Sequence, residues 1–377
     1  MTEWKEGILS EISDITMGQS PKGESCNNIG NGEPLLNGPT EFGLKYPDPV
    51  QFTTEPTKNC KEGDILFCVR GSTTGRMNWA NKEYVIGRGL AAFRHKKGLG
   101  YQYFLKGLID YKLDFLLASA TGSTFPNVSR ELLENMEIHL PPLPEQRAIA
   151  GVLSSLDDKI DLLHRQNKTL EAMAEALFRQ WFVEEADAGW GETTLASYAT
   201  NIRENATKES LGNHKNYVGL EHIPRKNIAL DQSGNTDSLG SNKSVFHKGD
   251  ILFGKLRSYF HKVVFAPFDG VCSTDILVIR PTKKEYFPFC LFWFFNEKVV
   301  EHSDLGSGGT RMPRTNWDIV SSYLIPKPNE DLIKIFSDIV APWLGKISEN
   351  IEQVRHLESL RDTLLPKLMS GEVRLAI

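Results

Sequence analysis

The sequence has few of the residues and patterns that would suggest a covalent scaffold, a membrane segment or a catalytic centre. Its five cysteines (Cys26, Cys60, Cys68, Cys272 and Cys290) are an odd number and form no C-x-x-C pair. They predict packing residues in a reducing compartment, and neither disulfides nor a zinc site. The most apolar stretch, Phe287–Phe295, is interrupted by Pro288, whereas a bilayer span needs about 20 residues. The opening MTEWKEGILSE has no apolar signal core. A cytoplasmic protein without a membrane partner is expected. With 43 Lys+Arg against 48 Asp+Glu, the net charge is -5. This excludes a basic protein that coats nucleic acid, while leaving room for local basic faces.

Motifs of catalysis are missing too. Gly249-Asp250-Ile251-Leu252-Phe253-Gly254-Lys255 nearly spells a phosphate-binding loop, but Leu256 stands where Ser or Thr must hold magnesium. Asp304-Leu305-Gly306-Ser307-Gly308-Gly309 has the glycines of an S-adenosylmethionine loop, yet Glu301-His302-Ser303 precede it instead of a buried strand. Leu140-Pro141-Pro142-Leu143 has the prolines of the amino-methylating tetrad without its polar residue. The nine His form no pair at metal-ligand spacing, and no Gly-x-Ser-x-Gly elbow occurs. No catalytic, metal-ligating or cofactor-binding residue is expected in this chain.

What the chain does have is length and a repeat. Its 377 residues, 40% hydrophobic and 10% aromatic, predict two or three folded domains. Trp4 recurs as Trp190, and Gly63-Asp64-Ile65-Leu66-Phe67 as Gly249-Asp250-Ile251-Leu252-Phe253, both at an offset of 186. Pro126 and Pro313, Lys159-Ile160 and Lys346-Ile347, and Leu170-Glu171 and Leu357-Glu358 follow at 187. The chain reads as a tandem duplication. Each half opens with a mixed α/β (α+β) globular segment in which the GDILF run is a buried strand entered from a Gly-Asp turn. Helices are predicted around Tyr101–Leu117 and Phe287–His302, each followed by a Gly/Ser/Thr loop, a strand and a proline stop.

Each half closes with a long helix. Ile149, Leu153, Leu156, Ile160, Leu163, Asn167, Leu170, Ala174, Leu177 and Trp181 step by four and three, the seam of a coiled coil. The repeat carries them onto Phe336, Val340, Trp343, Ile347, Asn350, Val354, Leu357, Arg361, Leu364 and Leu368. If the helices pair antiparallel about a pseudo-two-fold, Asn167 faces Asn350, and Leu163 faces Val354. From about Glu145 to Val183 the first helix would be about 58 Å long. Pro366 should bend or end the second. The expected boundaries are a first domain over 1–145, a helix over 146–187, a second domain over 188–330 and a helix over 331–377.

Charge is unevenly placed. Over 61–97, Lys61, Arg70, Arg76, Lys82, Arg88, Arg94, Lys96 and Lys97 face Glu62, Asp64 and Glu83. Over 243–262, Lys243, Lys248, Lys255, Arg257 and Lys262 face Asp250 alone. Two repeat-related basic clusters beside Gly/Ser/Thr loops suit two nucleic-acid contacts.

The runs LPPLPEQRAIAGVLSSLDDKIDLLHRQNKTLEAMAEALFRQWF (140–182), LESLRDTLLPKLMSGEV (357–373), KEGDILFCVRGSTTGR (61–76), HKGDILFGKLRSYF (247–260) and TGSTFPNVSRELLENMEIHLPP (121–142) resemble the specificity subunits of type I restriction–modification enzymes. The resemblance covers essentially the whole chain in the family's order, although Pro326-Lys327-Pro328-Asn329-Glu330 replaces the Leu-Pro-Glu-Gln-Arg run in the second half. It implies two target recognition domains, each reading one half of an asymmetric bipartite site in double-stranded DNA. It also implies spacer helices that set the half-site distance and dock two modification subunits, with restriction (motor–nuclease) subunits joining them. S-adenosylmethionine, ATP and magnesium would belong to those partners. Adenine methylation and ATP-dependent cleavage would be activities of the assembled complex. For DNA contacts the candidates are Arg70, Arg76, Arg88, Ser123 and Thr124 in the first half, and Lys255, Arg257, Arg311 and Arg314 in the second. Arg residues are favoured because a guanidinium can pair bidentately with guanine. A self-contained methyltransferase using the Asp304 loop, and a protein-binding adaptor, are the competing readings.

Overall fold

The computed structural model describes residues 3–121, 126–187, 189–207, 210–236, 239, 241–308 and 312–375. They divide into two units, one of 1–162 with 355–377, the other of 163–354.

In the first unit a four-stranded antiparallel sheet is built from β1 (Ser13–Met17), β2 (Ile65–Cys68), β3 (Met77–Trp79) and β4 (Leu90–His95), in the order β1-β4-β2-β3. The second unit repeats it with β5 (Ala199–Ile202), β6 (Ile251–Gly254), β7 (Val263–Phe265) and β8 (Ile276–Pro281), in the order β5-β8-β6-β7. The register repeats as well: Ile65 pairs with Phe93, and Ile251 with Ile279. Both GDILF runs are thus central strands, and all four residues of each strand are buried. Both are entered through a glycine at positive φ, Gly63 at 83° and Gly249 at 92°.

The aspartate of each run has a second duty. Asp64 accepts the Lys61 N–H at 2.7 Å and lies 2.7 Å from the Arg94 guanidinium on β4. Asp250 accepts the His247 N–H at 2.8 Å and takes a bidentate pair from Arg280 on β8 at 2.7 and 2.8 Å. One carboxylate therefore closes the turn and ties it to the strand alongside. Away from this framework the halves differ. The first unit adds a five-stranded sheet (26–27, 33–36, 51–53, 59–60, 84–86), and the second a four-stranded one (205–206, 217–218, 243–246, 270–272).

The expected helix over Tyr101–Leu117 is two, Gln102–Tyr111 and Leu113–Ser119, and that over Phe287–His302 is Phe287–Phe295 and Glu297–Leu305. The second break has a plain cause. Asn296 leaves the helical region (ψ 134°) and its side chain accepts the Lys298 N–H, capping a new helix. The apolar run is core: Phe289, Phe292 and Phe294 are buried, and Phe178 packs against Phe292 and Trp293 at 5.7 and 5.2 Å.

Two long helices, α1 (Leu143–Arg179) and α2 (Glu330–Ser370), contribute to both units. In the first unit Ile149, Leu153, Leu368 and Met369 join one core; in the second Ala174, Phe178, Phe336, Val340 and Ile347 join another. Helix α2 runs through Pro342 and Pro366, so Pro366 does not end it. The N–H that each proline lacks would have bonded the carbonyl of Asp338 or Asp362, and both residues are exposed to water. In place of the first helix's opening, Asn329 caps α2, accepting from the Asp331 and Leu332 N–H groups at 2.6 and 3.1 Å.

Helix α1 also holds a titrating group. Glu171 accepts the Ile228 N–H at 2.8 Å, and burial pushes its carboxyl up to about 7. The folded state keeps this proton where the unfolded chain, at an ordinary 4.5, has lost it. Stability is therefore fullest below about 4.5 and falls as pH rises through about 7. Glu171→Gln, which can still accept from Ile228, should stabilise the protein by about 2 kcal/mol at pH 8. It should change little at pH 4.5. Equal melting shifts at both pH values would count against this assignment.

Candidate nucleic-acid interface

After the central strand of each unit the chain makes the same turn with different residues. In the first unit it passes through Gly71 (φ 101°) and Gly75 (φ 95°); in the second the equivalent positions are Arg257 (φ 53°) and His261 (φ 52°). Side chains larger than glycine rarely adopt this left-handed region, at a cost of about 1–2 kcal/mol each. The second turn is held in place from several sides. The ring of His261 is buried, its Nε2 2.7 Å from the Phe295 carbonyl, and burial lowers its pKa. The Lys226 N–H donates to the His261 carbonyl at 3.0 Å.

The Gly/Ser/Thr loops close on these turns. The Gly71 N–H donates to the Pro126 carbonyl at 3.3 Å, and the Arg257 N–H to the Pro313 carbonyl at 2.9 Å. Bridges Arg70↔Asn127 and Thr121↔Asn127 in one unit match Leu256↔Arg314 and Gly308↔Arg314 in the other. Basic turn and small-residue loop therefore form one surface in each unit. Three predicted contacts in those loops, Ser123, Thr124 and Arg311, lie outside the described residues.

The other candidates separate by environment. Arg70, Arg76 and Arg88 are exposed, with Arg76 reaching the Pro39 carbonyl only at 3.5 Å. Arg88 is held through its main chain, whose N–H donates to Ser20 Oγ at 3.2 Å. Lys255 is half-buried and lines a polar cleft of about 360 Å³ with Asn201, Arg203, Asn205 and Thr315. The Arg257 side chain is half-buried on its strained turn. Arg314 is not open to a ligand in the same way: Asp275 holds its Nε at 2.9 Å and its Nη2 at 3.4 Å.

Part of the basic surplus is structural. Arg94 is committed to Asp64 and the Glu62 carbonyl, and Lys96 to the Ser10 carbonyl. Lys243 is buried against Ser241, and Lys262 donates to the Leu220 carbonyl, its pKa lowered by burial. A charge count along the chain cannot separate these from Arg70 or Arg88. Sequence reading also passed over Tyr259. It stands 51% exposed at the tip of the second turn, edge-on to Phe260 at 4.7 Å, with the Arg225 guanidinium 3.9 Å over the Phe260 ring. The signal was there, an aromatic pair two residues beyond Arg257 in a basic turn; an exposed aromatic can make apolar contact with base edges in a groove.

The helix seam brings its asparagines together. Asn350, fully buried, donates to Asn167 Oδ1 at 2.8 Å. Around this pair Leu163, Ile347 and Val354 are buried, and Leu170 and Trp343 partly so. In the first unit Ile160 is buried, Leu156 and Leu357 partly, and Arg361 meets Asp157 at 3.1 Å. Among the described residues no three His, Cys, Asp or Glu are grouped to hold a metal ion, and no helix is long and apolar enough to cross a membrane.

Comparison with known proteins gives these surfaces a context. Residues 1–172 match the family model described as Type I restriction modification DNA specificity domain. The MjaIX type I restriction enzyme specificity subunit of Methanocaldococcus jannaschii is 26% identical over 416 residues, 99% of this chain and 94% of that protein. MjaX of the same organism is 38% identical over 160 residues, 42% of this chain and 37% of the relative. Among solved structures, the type I restriction–modification S subunit of M. genitalium superposes with a TM-score of 0.63 at 18% identity, over 97% of this chain and 96% of that one.

Proposed function

Because the chain belongs to the specificity subunits of type I restriction–modification systems, we propose that each unit reads one half of a split, asymmetric target in double-stranded DNA. The reading surface of each is its post-strand turn together with the adjoining Gly/Ser/Thr loop. The observation that carries this is the pairing of a basic turn with that loop by equivalent bridges in both units. Different side chains on one repeated frame are what two different half-sites require. Arg70, Arg76, Arg88, Lys255 and Arg257 are the contacts, with Tyr259 as an apolar contact in the groove. The chain supplies no catalysis of its own. Modification subunits carrying S-adenosylmethionine dock on the long helices, which space the half-sites, and methylate adenine; ATP-dependent cleavage needs restriction subunits as well.

Co-expression with the modification subunit of the same genome, followed by sequencing that detects modified adenine, tests this. One split, asymmetric motif modified near completion is expected. A stable complex that leaves no motif modified overturns the reading. At the level of one residue, Arg70→Ala should weaken binding of the assembled complex by about tenfold, and a phosphate contact would also lower the salt slope by about one. Unchanged affinity at every salt concentration removes Arg70 from the surface.

A further inference from the structure

The polar residues of the helix seam obey a rule that concerns the choice of partner. Asn167 meets Asn350 at 2.8 Å in the second unit, and Asp157 meets Arg361 at 3.1 Å in the first. The repeat maps each of these four residues onto an apolar one. Asn167 corresponds to Val354, Asn350 to Leu163, Asp157 to Leu344 and Arg361 to Ala174. All four counterparts are buried. Neither polar pair is therefore demanded by the duplicated frame, which is filled with apolar residues at the equivalent places.

We propose that these four residues make the seam selective for the unlike half: helix α1 accepts α2, and each rejects a second copy of itself. The two helices descend from one sequence, so an α1–α1 pair in the same antiparallel register is the natural competitor. In that pair Asn167 would face Leu163, and Asp157 would face Ala174, each twice by symmetry. In an α2–α2 pair Asn350 would face Val354, and Arg361 would face Leu344, again twice. Each like pair thus sets two amides and two half-buried charges against apolar neighbours, whereas the unlike pair joins amide to amide by a hydrogen bond and carboxylate to guanidinium by an ion pair. Burying an unmatched polar group disfavours a pairing far more than a matched one favours it. A single polar residue in an apolar seam is a known means of fixing register and partner. Without it, chains could join through like halves. Selection by the seam keeps the two halves of one chain together, and with them two different recognition surfaces.

The test uses the full chain with a protease site inserted between Ala186 and Asp187, cleaved after folding. Nicked protein of natural and heavy isotope composition is mixed and warmed, with urea if needed, until heavy–light pairs of unlike halves appear. Native mass spectrometry then reads every pair by mass. Like pairs should stay below about 1% of the total, since even one unmatched buried amide costs about tenfold in the pairing equilibrium. Like pairs at their statistical share overturn the proposal. In nicked protein carrying Asn167→Leu and Asp157→Ala, first–first pairs should become the main species and second halves should be released. The mirror variant, Asn350→Leu with Arg361→Leu, should do the same for second–second pairs and stands if the first fails to fold. If unlike pairs persist alone in both variants, the polar residues do not choose the partner.

Discussion

Arg280→Met is expected to destabilise the second unit by about 3 kcal/mol, read as a lower urea midpoint with an unchanged slope. The methionine keeps the apolar stem of the side chain and removes only the guanidinium. What remains is the Asp250 carboxylate, 3% exposed, still bonded to the His247 N–H but without its counter-charge. Removing one member of a buried pair costs more than removing both. Asp250→Asn combined with Arg280→Met should therefore recover much of the loss, because an amide oxygen still closes the turn and no charge is stranded. The equivalent pair in the first unit, Asp64 and Arg94, should respond in the same direction. There burial already pushes the Asp64 carboxyl up, against the pull of Arg94. A double variant as unstable as Arg280→Met alone would show that the turn depends on something other than the coupled charges.

Arg257→Gly should separate stability from recognition. The backbone of Arg257 sits where the first unit has Gly71, and glycine occupies that region without strain. Relief of the left-handed conformation, about 1 kcal/mol, offsets the extra freedom glycine brings to the unfolded chain. The melting temperature should hold or rise slightly. Binding of the assembled complex to its target should nevertheless fall between about fivefold and 150-fold, the range set by losing one bidentate base contact. Arg257→Ala, which keeps the strain and loses the guanidinium, should lose binding while its stability stays near that of the wild type. If Arg257→Gly binds as the wild type does, the strained arginine serves the fold and not the DNA, and the contacts of the second unit must be sought at Lys255 and Tyr259.

The parts of the fold that were readable from sequence are those governed by local period. GDILF is apolar throughout and follows a Gly-Asp turn, so its burial as a strand needs no tertiary information. The heptads show one asparagine in each seam, and an antiparallel pairing that joins the two also sets Leu163 against Val354, so Asn167 could be placed opposite Asn350. Less legible was anything decided across the chain. Nothing near Asp64 or Asp250 announces the arginine that pairs with it about thirty residues later on the adjacent strand. The break at Asn296 was readable in principle, since asparagine followed by glutamate is a helix start, but a long apolar run drew the helix through it. Pro366 does not end its helix, for the opposite reason: a proline rule assumes that the freed carbonyl is left without a partner, and here it belongs to Asp362, a residue exposed to water. For the proposed DNA surface, composition found the basic windows and could not tell Arg88, which is exposed, from Arg94, which is bound to Asp64. Tyr259 was overlooked because the count was of charge.

The division of the chain sets an order for its making. The second unit is one uninterrupted run, 163–354, whereas the first needs 1–162 together with 355–377. At about 5–20 residues per second, a ribosome takes between about 10 and 40 s to pass from the first segment of that unit to the last. During that interval Ile149 and Leu153 lack Leu368 and Met369, with which they share a core. The segment translated first is thus the last able to close, and a nascent chain halted before Leu368 carries an unfinished first unit beside a second whose residues are all present. Its apolar face is what a chaperone on the ribosome would meet.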